Sequence, residues 1–156
     1  MKDASAFEIR SADWAADRDL LEAVRRAVFV VEQAVPEALE WDQFDAVSRH
    51  ALAVAPDGAA IGTARLLPDG HIGRVAVLAP WRGRGVGGAL LQHLLDAARR
   101  AGLPEVKLNA QVRALGFYRR FGFVAEGEVF DDAGIEHKAM RLKLAADIDP
   151  HRNGDA

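Results

Sequence analysis

The residues able to do chemistry in this chain fall in a few places. Between His71 and Gly102 it reads HIGRVAVLAPWRGRGVGGALLQHLLDAARRAG, and Arg82–Gly88 within that stretch is RGRGVGG. Five of the fourteen glycines lie between Gly73 and Gly88, and Arg82 and Arg84 alternate with them. Glycine lets backbone amides approach a ligand closely, and arginine adds positive charge. At the start of a helix that combination suits an anion. Tyr118 is the sole tyrosine and a candidate proton donor. His50, His71, His93, His137 and His151 are candidates for proton transfer near neutral pH. Between Ala27 and Ser48 stand Glu32, Glu37, Glu40, Asp42 and Asp45 with no Lys or Arg, and Trp41 and Phe44 lie among them. The chain has no cysteine, which excludes a disulfide framework, a thiolate metal site and a cysteine nucleophile. H-E-x-x-H spacing is absent too, and no metal is expected.

Which anion the glycine turn takes depends on what surrounds it. A nucleotide P-loop needs Gly-Lys-Ser/Thr, because the hydroxyl ligates magnesium and the lysine reaches the outer phosphates. Tyr118 aside, the only hydroxyls beyond the first twelve residues are Ser48 and Thr63, and no lysine is near. Gly83-Arg84-Gly85-Val86-Gly87-Gly88 satisfies G-x-G-x-x-G, the dinucleotide fingerprint. That motif should open its domain and be followed by an acidic residue at the end of the next strand. Here the next strand ends Lys107-Leu108-Asn109-Ala110. A third pattern, R-x-x-G-x-G from Arg82, Gly85 and Gly87, describes a pyrophosphate cradle of amides and arginines that needs no metal. A tight strand-to-helix turn with no ligand would need only one glycine.

The elements that must position these residues follow from periodicity. Phe7–Arg10 is predicted as a strand, and 17–31 as a helix with Leu20, Leu21, Val24, Val28 and Val31 at helical spacing. Strands are expected at His50–Ala55, Ala60–Leu67 and His71–Val77, turned by Pro-Asp-Gly at 56–58 and 68–70. An amphipathic helix over 85–101 ends at Gly102 and Pro104. A strand at Val106–Ala110, a short helix at Ala114–Phe121 and a hairpin of Val124–Phe130 with Ile135–Leu144 complete the order. This is an α/β domain with a mixed sheet over residues 1–144, and 145–156 form a polar tail expected to be disordered. A formal charge of −3 gives no basic surface for nucleic acid. MKDASAFEIR lacks the apolar core of a signal peptide and no run is long enough to span a membrane, so a cytoplasmic location without membrane contact is expected.

Taken together, several spaced motifs resemble the GNAT superfamily of acyl-CoA-dependent N-acetyltransferases, and more closely its ElaA-like branch. They are RRAVFVVEQAVP (Arg25–Pro36), EWDQFDAVSRH (Glu40–His50), IGRVAV (Ile72–Val77), the R-x-x-G-x-G turn, NAQVRALGFYRRFGF (Asn109–Phe123) and DDAGIEH (Asp131–His137). Two positions depart from the superfamily pattern. Gln111 stands where an Asn is frequent, as in the ElaA-like branch, and Glu37 replaces the usual aromatic after Val35-Pro36. The resemblance implies six or seven strands, mixed, splayed open between the fourth and fifth. It places the pantetheine of acetyl-CoA in that gap against the main chain of Val75, Ala76 and Val77. The pyrophosphate then lies on Arg82, Gly83, Arg84, Gly85, Val86, Gly87 and Gly88, and Asn109 belongs to the same cofactor-binding set. Dimers are common in the family, so a homodimer is an expectation as well.

The chemistry so implied can be checked against the residues. An alkylamine near pKa 10.4 is about one part in a thousand neutral at pH 7, so a proton must be removed before it attacks a thioester. Without cysteine, direct attack in a ternary complex is favoured over a cysteinyl acyl-enzyme. A main-chain N–H near Val77 is the expected oxyanion donor. In the family the tyrosine matching Tyr118 is the general acid toward the CoA sulfur; otherwise it is a core aromatic beside Phe117, Phe121 and Phe123. His71, eleven residues before Arg82, falls where some members carry a catalytic glutamate, with His137 and Glu128 as rivals. His50 is expected to bond a loop carboxylate such as Asp45. The acidic segment 27–48 could steer a cationic amine or be a solvated loop anchored by its aromatics. A non-catalytic acyl-CoA sensor is the alternative to an enzyme, and it would need neither Tyr118 nor an acceptor site.

Overall fold

The computed structural model describes residues 6–144; the expected disordered tail and His151 lie outside them. The described residues divide after Leu94 into two compact units. In the first, β1 (Glu8–Ala12), β2 (Arg49–Val54), β3 (Ala60–Leu66) and β4 (Ile72–Val77) form one sheet in that order, every pairing antiparallel. The two Pro-Asp-Gly turns close the hairpins, with Gly58 and Gly70 at φ 87° and 95°, a conformation that glycine adopts without steric cost. Asp13 caps α1 (Trp14–Arg25) by accepting from the Ala16 N–H at 3.1 Å. Leu21, Val24 and Val28 are buried, and Val24 and Val28 pack with Ala76 of β4.

The first helix does not continue as an α-helix to Val31. From Arg26 to Glu32 it widens to a π-helix, whose last turn closes with Gln33 N–H on Val28 O and Val35 N–H on Phe29 O. The wider turn rotates the next valine off the apolar stripe, so Val31 is 72% exposed instead of buried. Two short helical pieces follow, α2 (Glu37–Glu40) and a 3₁₀ turn at Asp45–Val47, where only a loop is expected from the sequence.

A long helix, α3 (Val86–Arg100), follows the glycine turn. Its first turns lie close on β3. A Cβ added at Gly62 would stand 3.0 Å from both Leu90 Cδ1 and Val86 Cγ1, so a side chain here would have to push both aside. In the second unit β5 (Glu105–Gln111), α4 (Leu115–Arg119), β6 (Val124–Asp132) and β7 (Ile135–Lys143) give a three-stranded antiparallel sheet in the order β5-β7-β6. The β6–β7 turn has both central residues at positive φ, Ala133 at 53° and Gly134 at 81°, which matches the strand twist. Among the described residues there are thus seven strands and four α-helices, and the break in pairing falls between the fourth and fifth strands. The parallel pairing expected of a mixed sheet is not formed among the described residues. Among the described residues β4–α3–β5 joins strands of different sheets, and β5–α4–β6 crosses over within one sheet, its two strands running the same way with β7 between them.

Candidate active site

The glycine turn is built as the sequence requires. A 3₁₀ turn at Ala79–Trp81, started by Pro80, leads out of β4, with Trp81 N–H on Leu78 O and Arg82 N–H on Ala79 O. Gly83 and Gly85 follow at φ 77° and 83°, and nothing lies within 4 Å of where a Cβ would stand on either. The first α3 hydrogen bond runs from Ala89 N–H to Gly85 O, so the amides of Val86, Gly87 and Gly88 have no acceptor within the helix. Arg84 lies with its Cζ 5.0 Å above the Trp81 ring, and Phe7 meets that ring edge-on. The first amides of a fifteen-residue helix, which lack acceptors within that helix, suit an anion such as a pyrophosphate.

β4 is the edge strand of its sheet. Leu78 N–H bonds Ile61 O, which makes Ile61 and Leu78 a hydrogen-bonded pair, and alternation then sets the strand. Gly62 and Val77 are a non-bonded pair, so the Val77 N–H and C=O point away from β3 toward the open edge. Ala76 faces β3 with its main chain and the core with its side chain, 3% exposed. Of the three expected pantetheine contacts, Ala76 has its main chain directed at β3 and Val77 has its own directed away from it. Val75 adjoins a bulge at Arg74, which holds φ 52° where the β3–β4 register shifts.

Arg82 is placed differently from the expectation. Its guanidinium is bound in a fork to Glu32, Nη1 to Oε2 at 2.9 Å and Nη2 to Oε1 at 2.7 Å. Its Nε–H donates to Val77 O at 3.0 Å. The side chain thus faces the end of β4 and does not present free charge to the glycine turn. No local motif signals Glu32, which is fifty residues away.

Tyr118, on α4, is 8% exposed and lies edge-on to Phe117 and Phe123 at centroid distances of 5.0 and 5.9 Å. Burial pushes its hydroxyl up to about 12 from 10.0. His71 stands at the turn before β4, six residues from Val77, with Nδ1 3.0 Å from Asp69 Oδ2. Asn109 is exposed on β5 opposite Ala139, and Gln111 accepts from Arg113 Nε at 2.9 Å. His137 bonds Ile135 O through Nδ1 and stacks on Phe130, while His93 Nε2 meets Ser11 Oγ. Glu128 is exposed on β6. His50 bonds the main-chain carbonyl of Asp45 at 2.8 Å, not its carboxylate. The carboxylate is unavailable because two arginines hold it.

Those arginines belong to a buried network that the acidic segment completes. Arg25, 1% exposed, donates Nε to Glu40 Oε2 at 2.8 Å and Nη1 to Asp45 Oδ1 at 2.6 Å. Arg65 donates to Asp42 and Asp45, and Arg74 reaches Glu40 and Asp42. Glu37 is bound by Arg26 and Glu32 by Arg82. All five carboxylates are thus paired with arginines lying outside the segment. Burial raises the Asp45 carboxyl, but Arg25 and Arg65 outweigh it and hold it below its ordinary value. Burial keeps His50 below its own. The segment shows solvent apolar side chains instead: Val31, Leu39, Phe44 and Val47.

Comparison with known proteins identifies the family. Residues 12–144 match the acetyltransferase (GNAT) domain, and the chain belongs to that family. The Bacillus subtilis uncharacterized N-acetyltransferase YjcF is 38% identical over 121 residues, 75% of this chain and 86% of that protein. An acyl-CoA N-acyltransferase from Pseudomonas aeruginosa superposes with a TM-score of 0.78 at 35% identity, covering 87% of this chain and 99% of its own. Escherichia coli ElaA does so with 0.78 at 30% identity, covering 88% and 100%. The protein is accordingly an ElaA-like GNAT acetyltransferase that uses an acyl-CoA as co-substrate. Among the described residues no helix is long and apolar enough to cross a membrane, and no cluster of His, Asp or Glu is placed to hold a metal.

Proposed function

We propose that this enzyme, through a domain spanning residues 1–144, moves an acetyl group from acetyl-CoA to a primary amine by direct attack in a ternary complex. The observation that carries the reading is a pair of backbone donor sites, the outward Val77 N–H at the end of β4 and the amides of Val86, Gly87 and Gly88 at the start of α3. The latter amides, with Gly83, Gly85 and Arg84 around them, hold the pyrophosphate. Val77 N–H donates to the thioester oxygen as negative charge develops there. His71, its Nδ1 3.0 Å from Asp69, is the general base; six strand residues from Val77, roughly 20 Å, it takes the amine proton through water and not directly.

Tyr118 serves the sulfur. With its hydroxyl at about 12, it is protonated at any pH the enzyme works at. A thiol is near 8.5, so complete transfer from Tyr118 to the departing thiolate would cost roughly 5 kcal/mol. Tyr118 therefore acts by hydrogen bonding to the sulfur as the C–N bond forms and the C–S bond breaks. It passes on a proton only as one is supplied from the new amide nitrogen. The acceptor is not selected by charge from segment 27–48, whose carboxylates are already paired.

The test is release of CoA thiol from acetyl-CoA across polyamines, aminosugars, amino acids and lysine peptides. The chain has no cysteine, so it adds no thiol background. Release with one amine class at a rate insensitive to 0.3 M salt is expected. Acetyl-CoA bound with no acceptor consumed would leave a sensor, and failure to bind would overturn the reading of the glycine turn.

A further inference from the structure

We infer that Glu32 and Arg82 form a positioning clamp on the end of β4, and that Arg82 is not a ligand of the CoA pyrophosphate. The inference rests on the function proposed above and assigns the pair a place in it. Arg82 makes three good bonds at once: two to Glu32 in a fork and one, through Nε, to Val77 O. The fork uses the two terminal nitrogens and leaves the guanidinium edge facing β4. To reach a phosphate the half-exposed guanidinium would have to give up a bidentate carboxylate and a strand carbonyl.

The carbonyl that it holds matters. Val77 presents both its N–H and its C=O to the open edge of β4. A thioester oxygen that gains negative charge near the N–H is repelled by a neighbouring bare carbonyl oxygen. Arg82 occupies that oxygen, offsets its negative charge and leaves the N–H as the group offered to substrate. Glu32 in turn cancels the guanidinium charge, so the clamp fixes orientation without becoming a second anion site.

The π-helix gives the clamp its register. Glu32 is its last residue, fixed by the Gln33-to-Val28 and Val35-to-Phe29 backbone bonds, with Ala34 at φ 57°. Val28 is packed with Ala76, and Phe29 and Leu78 border the same cluster, so the segment grips β4 on both sides of Val77. Continued as an α-helix, the segment would carry Glu32 around the axis and away from Arg82.

The test separates clamp from phosphate ligand by opposite signs. Acetyl-CoA affinity by calorimetry and kcat are measured for wild type, Glu32→Gln, Arg82→Gln and Arg82→Lys. For a clamp, Arg82→Gln lowers kcat about tenfold with the acetyl-CoA Kd within about threefold, and Glu32→Gln lowers kcat in the same direction. Arg82→Lys, which keeps the charge but cannot make the fork and the third bond together, does not restore kcat. If Arg82 were a phosphate ligand, Arg82→Gln would raise Kd tenfold or more, Arg82→Lys would recover much of it, and Glu32→Gln would tighten binding by freeing the guanidinium. Either of those Kd results, or unchanged kcat in both Gln variants, overturns the clamp. Wild type that binds no acetyl-CoA would instead overturn the function on which it rests.

Discussion

Tyr118 offers a perturbation whose size can be worked from the structure and read without interference. Its hydroxyl is pushed to about 12 from 10.0, and burial is the cause. That difference corresponds to about 3 kcal/mol favouring the protonated form in the folded state. The linkage sign follows. Between pH 10 and pH 12 the unfolded chain has released this proton while the folded one keeps it. Stability therefore falls through that window, by up to about 3 kcal/mol from this group alone. Because Tyr118 is the only tyrosine, tyrosinate absorbance near 295 nm reports on one residue. Titration followed together with far-ultraviolet circular dichroism should show no tyrosinate at pH 10.5 while the fold is intact. Tyr118→Phe should abolish the signal, leave the urea midpoint at pH 7 unchanged or slightly higher, and lower kcat about a hundredfold with acetyl-CoA affinity preserved. Half-ionisation near pH 10 in the folded protein would refute the burial argument. Wild-type turnover by the Phe variant would refute the role at sulfur.

Three further outcomes test the turn, the buried histidine and the ionic network. Gly85→Ala and Gly58→Ala suffer similar strain, at φ 83° and 87° with open space around both, so each should lose about 1–2 kcal/mol in urea unfolding. Only Gly85→Ala should weaken acetyl-CoA binding, by tenfold or more in calorimetry, and equal binding by the two variants would remove the turn from the site. His50 is held below its ordinary value by burial, with Arg25 and Arg65 opposing its charge and the Asp45 carbonyl favouring it. Below about pH 6.5 the unfolded chain gains a proton that the folded chain refuses, so stability falls with acidification there, and His50→Asn should flatten the slope between pH 7 and pH 5.5. Arg25→Met leaves Glu40 and Asp45 short of a buried partner and should cost about 3–5 kcal/mol in urea unfolding, with Arg25→Lys recovering little of it.

How much of this could be read from the chain depended on distance along it. R-x-x-G-x-G is local, and so is its outcome: the glycines at 83 and 85 take positive φ and lead straight into the first turn of α3. The two Pro-Asp-Gly hairpins were legible for the same reason. The helix over 17–31 was legible only to Arg25, because hydrophobic spacing counts 3.6 residues per turn and cannot register a change to wider turns. Val31 satisfies the apolar period and still faces solvent. The acidic segment shows the limit most plainly. A window opened at Ala27 contains five carboxylates and no cation, and it stops short of Arg26 and Arg25 by one and two residues. Folding then brings Arg65, Arg74 and Arg82 from three other places, so the charge that was to steer a substrate is spent inside the protein. The same pairing withdraws Arg82 from the turn whose motif it begins. A motif specifies which backbone comes near a ligand; whether a charged side chain in it is free to meet that ligand is decided by whatever residue folds against it, here Glu32.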